Sequence, residues 1–170
     1  NNTNDDAGSQ GMIDAIIEPV NSIIRGLKLA GVPEESIVVF DSSRILPPRF
    51  ISGCDFMVQF KDMRDNPWGQ ARITFHPPNV APFAQSVSDV VANATYLINM
   101  PILKRHGMAG ISMGMKNHFG TIQYPDHIHD WSSLASPYYS SSYSPISEIN
   151  LSAVIADKTI LVVGDAIFAA

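Results

Sequence analysis

Thr95-Tyr-Leu-Ile-Asn-Met-Pro-Ile-Leu-Lys-Arg-His-Gly-Met-Ala-Gly-Ile-Ser-Met-Gly-Met-Lys-Asn-His-Phe-Gly120 is the stretch around which the chain is organised. Its apolar opening, Tyr96 to Met100, has the length of a short buried strand, and Pro101 stops it because proline cannot donate to a ladder. A turn carrying Lys104, Arg105 and His106 follows, then a glycine- and methionine-rich segment that closes on Lys116, Asn117 and His118. A segment built only to pack has no use for these polar and ionisable side chains. Residues 108–118 are expected to form a helix, with Gly110 and Gly114 one turn apart where a backbone approaches closely and Gly120 as the cap. Each glycine lowers intrinsic helicity by about 1 kcal/mol, so packing has to hold this helix.

Upstream, from Met12, the apolar positions Ile13, Ile16, Ile17, Val20, Ile23, Ile24 and Leu27 recur at the spacing of an amphipathic helix. Pro19 is expected to bend or split that helix near Glu18, and Gly31-Val32-Pro33 to end it. Ile37 to Phe40 is an unbroken β-branched run, the pattern of a strand covered on both faces in a parallel sheet. Asp55–Phe60 and Ala71–Phe75 flank the turn residues Asp65-Asn66-Pro67-Trp68-Gly69, which predicts an antiparallel hairpin inserted at the edge of the main sheet. Residues 80–93 read as a short helix with Ser86 or Ser88 as N-cap. A long Ser-, Tyr-, Pro- and His-rich loop spans 123–147, a helix runs from Ser147 to Ala156, and Thr159–Val163 is a last strand ending at Gly164-Asp165. The whole predicts one α/β domain over residues 1–170, a three-layer fold with a mostly parallel, Rossmann-like sheet and a β-hairpin insertion.

Composition narrows the partners. A chain of 170 residues that is 45% hydrophobic suffices for one ordinary core. Only 16% of residues are charged, the net charge is -5, and the basic residues are scattered apart from Lys104-Arg105, which argues against nucleic acid. Cys54 is the single cysteine, so no iron-sulfur cluster held by several thiolates is expected within this chain. No apolar run approaches the roughly 20 residues of a membrane span. The start, Asn1-Asn2-Thr3-Asn4, and the apolar end at Ala170 both have the character of cut ends.

Three strand candidates end in polar residues: Phe40 into Asp41, Ser43 and Arg44, Met100 into Lys104 and His106, Val163 into Asp165. Ligands of open α/β sheets bind outside the carboxyl ends of the strands, so parallel neighbours would bring these endings together. Lys104, His106 and Lys116 are the candidate catalytic residues, the lysines as positive charge for a small anionic molecule and His106 for proton transfer. Asp41, Ser43, Arg44, Asn117 and Asp165 are candidate ligand-binding residues. The competing reading of Lys116-Asn117-His118 is a cationic helix end that complements the macrodipole, worth about 0.3 to 1 kcal/mol. His127 and His129, flanked by Asp126 and Asp130, are candidate metal ligands that need a third donor such as His118 or His106.

Lys104-x-His106, Ala109-Gly110-x-Ser112 and Lys116-Asn117-x-x-Gly120 resemble the signature of the family catalogued as domain of unknown function 362. The helix–strand opening from Ile13 to Arg44 and the closing Gly164-Asp165-Ala166 extend the likeness over most of the chain. The family has no assigned reaction. Some of its members carry ferredoxin-like cysteine cassettes, so the resemblance implies, as an alternative to an enzyme, an accessory module working beside an iron-sulfur protein partner. Members also carry an upstream strand and, in some cases, a twin-arginine signal, which implies an exported or periplasmic location.

Overall fold

The structure is a computed structural model that describes residues 15–65, 67–106, 110–128 and 137–166. Helix α1 covers Ile17–Leu29 and places Pro19 in its first turn. There the missing N–H costs nothing, because the first helical N–H groups have no intrahelical acceptor. Proline therefore sits where the described helix starts, in place of the expected bend. The end is as anticipated: Gly31 takes a φ of 91°, its N–H reaches the Lys28 carbonyl at 2.9 Å, and Val32 N–H reaches Leu27 at 3.0 Å. These two bonds satisfy the last carbonyls in a Schellman arrangement.

Strand β1 (Val38–Asp41) leads through helix α2 (Pro48–Ser52) to β2 (Gln59–Asp62), which lies parallel to it, Asp41 opposite Asp62. Strands β3 (Trp68–Phe75) and β4 (Phe83–Ser88) form an antiparallel pair with an irregularity between Trp68 and Arg72. Two expectations are corrected here. The hairpin of 55–60 with 71–75 is not formed, because β2 joins β1 and β3 takes β4. The short helix expected within 80–93 is present as α3 (Asp89–Asn93), with Ser88, one of the two anticipated residues, at its N-cap, but Phe83–Ser88 before it is strand. Ile73 and Phe75 are buried while Arg72 and Thr74 face out, the alternation of a half-covered strand. Lys158 Nζ reaches back to the Val91 carbonyl at 3.1 Å and also to Ala92, closing the end of α3 with a cation.

Strand β5 (Leu97–Asn99) pairs in parallel with β8 (Thr159–Val162). Between them come β6 (Lys104–His106) and β7 (Gly110–Ser112), an antiparallel pair, and the short helix α4 (Gly114–Asn117). The expected helix over 108–118 is thus reduced to one turn. Gly110 has a φ of 73°, a left-handed conformation incompatible with a helix starting before it, and the backbone pairs with β6 instead. Helices α5 (Pro145–Leu151) and α6 (Ala153–Ala156) replace the single expected helix, Ser152 adopting extended backbone between them.

Helices, parallel pairs and antiparallel pairs make a mixed α/β molecule. Among the described residues the strands pair in twos, and no continuous three-layer sheet forms. One core gathers Ile73, Phe75, Val87, Leu97, Phe119 and Ile149, and a second holds Val20, Ile24, Ile37, Leu46 and Phe50. Phe40 of β1 packs on the first, and Met100, just past the end of β5, packs on the second. Among the described residues no helix is long and apolar enough to cross a membrane.

Candidate functional site

Asn99, the last residue of β5, is the hub of the central region. Strand periodicity puts it on the same face as buried Leu97, and it is itself 6% exposed. Its Nδ2 donates to the Gly114 carbonyl at 2.8 Å and to His118 Nε2 at 3.1 Å, while its Oδ1 accepts from Asn117 Nδ2 at 2.8 Å. The carbonyl of Gly114 requires a donor, which sets the orientation of the Asn99 amide. His118 Nε2 is then an acceptor, and the ring proton sits on Nδ1. His118 is 5% exposed, and burial pushes its pKa down to about 4. The ring is therefore neutral at pH 7, with a buried Nδ1–H that has no partner among the described residues.

The sign of the resulting pH dependence follows directly. In the unfolded chain the imidazole takes up a proton below about 6.5, whereas in the fold it resists until about 4. Between those values the unfolded state binds more protons, so His118 stabilises the fold above pH 6.5 and that contribution drains away as the pH falls towards 4. The loss amounts to about 3 kcal/mol over the window. Urea titrations at pH 7 and pH 4.5 measure it, and His118→Gln should flatten the dependence.

The carboxyl ends of β1 and β2 form a second polar group. Asp41 is 5% exposed, and its Oδ1 accepts from Ser43 N–H and from Ser43 Oγ, both at 2.9 Å. Its Oδ2 has no partner among the described residues. Neighbouring Asp62 is fully engaged with Arg64 and the Leu46 N–H, and the Arg64 guanidinium holds its carboxyl below the usual range. Ser43 Oγ packs 3.0 Å from where a Cβ on Gly120 would stand, so the β1 loop rests against the turn that carries His118. Arg44, read as a candidate ligand-binding residue, turns outward and donates to the Ser43 carbonyl at 3.3 Å. Ser42 Oγ donates to Ser88 Oγ at 2.6 Å, pinning the same loop to the end of β4.

Lys104 and His106 occupy alternate positions of β6 and are half-buried, while Arg105 between them is exposed. Ser112 of β7 stands opposite Lys104. Lys116 comes from α4 with its Nζ 5.2 Å over the Phe119 ring. Burial, with the charge of Lys104 added, lowers the Lys116 pKa to about 8. Asp165 joins this rim through its backbone, since Leu103 N–H donates to its carbonyl at 2.7 Å and its own N–H donates to Pro101 at 2.8 Å. Asn117 commits its amide donor to Asn99, so its part is to brace the strand end.

His127 lies elsewhere. Its exposed ring stacks on Tyr124 at 5.0 Å, beside a groove of about 370 Å³ that Phe83, Gln85 and Tyr138 also line. His129 falls outside the described residues, and among those described no three His, Cys, Asp or Glu side chains gather as a metal site. Sequence reasoning passed over Asn99, although an asparagine two residues after a buried leucine in a strand is the signal for a polar group facing inward. Glu148 was also missed. It accepts from Tyr143 OH and from the His76 backbone N–H at 3.0 Å, and it meets the His76 ring at 2.7 Å, clamping α5 to the end of β3.

With this arrangement in view, comparison with known proteins gives one answer. A family model, Domain of unknown function (DUF362), matches residues 17–170, and the chain belongs to that family. No curated protein and no solved structure matches it.

Proposed function

We propose that the chain binds a small anionic molecule between Lys104 and Lys116, beyond the carboxyl end of β5, with His106 as the group for proton transfer. The observation that carries this reading is the approach of two lysines from separate elements, β6 and α4, each half-buried. Two ammonium groups held near one another and partly out of water repel, and an anion between them turns that cost into attraction. Strand alternation aims His106 to the same side as Lys104. Asp165 closes the rim, and Asn117 acts through Asn99.

Thermal shift with sulfate tests the reading, because the charge of this ion is constant near neutral pH. At 100 times its dissociation constant, sulfate should stabilise the fold by about 2.7 kcal/mol. Lys104→Ala and Lys116→Ala should each weaken binding at least about tenfold, the equivalent of 1.4 kcal/mol. Affinity should also fall as the pH rises past about 8, where Lys116 gives up its proton. A sulfate shift that persists unchanged in both variants refutes the reading.

A further inference from the structure

A groove of about 370 Å³ opens where the start of β4 meets the turn at 124–127, and Phe83, Gln85, Tyr124, His127 and Tyr138 all line it. Among the described residues the rest of the lining is valine and alanine, with no lysine, arginine or carboxylate. The fold holds these rings in place. Tyr124 and His127 stack at 5.0 Å with their planes 12° apart, Phe83 stacks on buried Phe75, and Tyr138 meets Phe83 edge to face. The segment bearing the first two is fastened to β4: Ile122 bridges Val87, Gln123 N–H donates to the Ser86 carbonyl at 3.0 Å, and the buried Gln85 amide holds both the N–H (2.9 Å) and the carbonyl (3.1 Å) of Tyr124. Ile128, wholly enclosed, anchors the far end of the segment in the core. Yet Tyr124 is 49% exposed, and His127 is exposed as well. A buried amide is thus committed to fixing an aromatic residue that the core does not need, and rings fixed in advance lose little freedom when a ligand arrives.

We propose that this groove is a second binding site and that it takes an uncharged, planar aromatic small molecule of one or two fused rings. Walls made of ring faces and edges favour a flat aromatic guest, in offset-stacked or edge-to-face contact with centroids about 4.5 to 7 Å apart. The same walls turn other classes away. An anion finds no cation here, and a sugar finds no free amide or carboxylate, since the Gln85 amide is already committed to Tyr124. The volume lies near the lower end of the roughly 300 to 1,000 Å³ of small-molecule pockets, which suits a fused bicycle. The groove shares no lining residue with the anion site, so the two readings stand or fall separately.

2-Naphthol and its saturated counterpart decahydro-2-naphthol test the assignment. Both are neutral at pH 7 and carry one hydroxyl on the same carbon skeleton, and only the first is flat and aromatic. By calorimetry on the full chain, 2-naphthol should bind at least about tenfold more tightly than the saturated probe. Tyr124→Ala and His127→Ala, both at exposed positions, should each weaken 2-naphthol at least about fivefold. Tyr124→Phe keeps the ring and should retain wild-type affinity, whereas Tyr96→Ala, which removes an exposed ring outside the groove, should leave it unchanged. In wild-type protein the amide resonances of Phe83, Gln85, Tyr124 and His127 should shift with 2-naphthol, a readout that needs no variant to fold. Equal affinity for the two probes, no binding of 2-naphthol, or shifts confined to residues away from the groove overturns the assignment. Binding that both alanine variants leave intact overturns it too, and marks 2-naphthol as a general guest of exposed apolar surface.

Discussion

Phe75→Ala is expected to lower the free energy of unfolding by about 3 to 5 kcal/mol. Phe75 is fully enclosed in the core that also holds Ile73, Val87 and Phe119, and its ring stacks on Phe83 at 5.2 Å. Phe83 in turn meets Tyr138 edge to face at 5.8 Å, so truncation removes the innermost ring of an aromatic row as well as leaving a void. Urea titration gives the value, read from a shifted midpoint at constant slope. A loss below about 1 kcal/mol would mean that β3 and β4 do not pack as described.

Asn99→Ala should cost about 4 kcal/mol. One side chain serves three partners, and its removal strands the Gly114 carbonyl, His118 Nε2 and Asn117 Nδ2 in a buried region, each at about 1 to 3 kcal/mol. Asn99→Asp tells more. It preserves volume and the acceptor for Asn117 but turns the donor facing His118 Nε2 into an acceptor, so the ring proton should move from Nδ1 to Nε2. Histidine ¹⁵N shifts report that change. A ring still protonated only on Nδ1 in Asn99→Asp would refute the role given to Asn99.

Local chemistry made some of this architecture readable in the sequence. Gly31 with Val32 ends a helix because a left-handed residue and the 6→1 bond that follows it satisfy orphan carbonyls, a matter of the six adjacent residues from Leu27 to Val32. The strands at 38–41, 97–99 and 159–162 were legible because each grows from a short, largely apolar run, Ile37–Phe40, Tyr96–Met100 and Thr159–Val163, with little else to become. Partner choice was not readable. Residues 55–60 and 71–75 looked like a hairpin, yet the strands that form there, β2 and β3, pair with β1 and β4 respectively, since pairing is decided by which apolar faces are covered. Val87 and Val91 share a helical spacing by coincidence: the first belongs to β4 and only the second to α3. At the candidate site, the lysines were visible as charge in a small-residue segment. Asp41 and His118 stand out by atoms left without partners among the described residues, which only the folded chain defines.

The parallel pairing of β5 with β8 has a bearing on how the protein is made. On the ribosome, Lys104 and its neighbours emerge well before residues 159–165, and at about 5–20 residues per second the earlier segment waits seconds for its counterpart. Throughout that interval β5 and Asn99 lie along an unpaired edge, and the parallel pair closes only once residues 159–162 have left the exit tunnel.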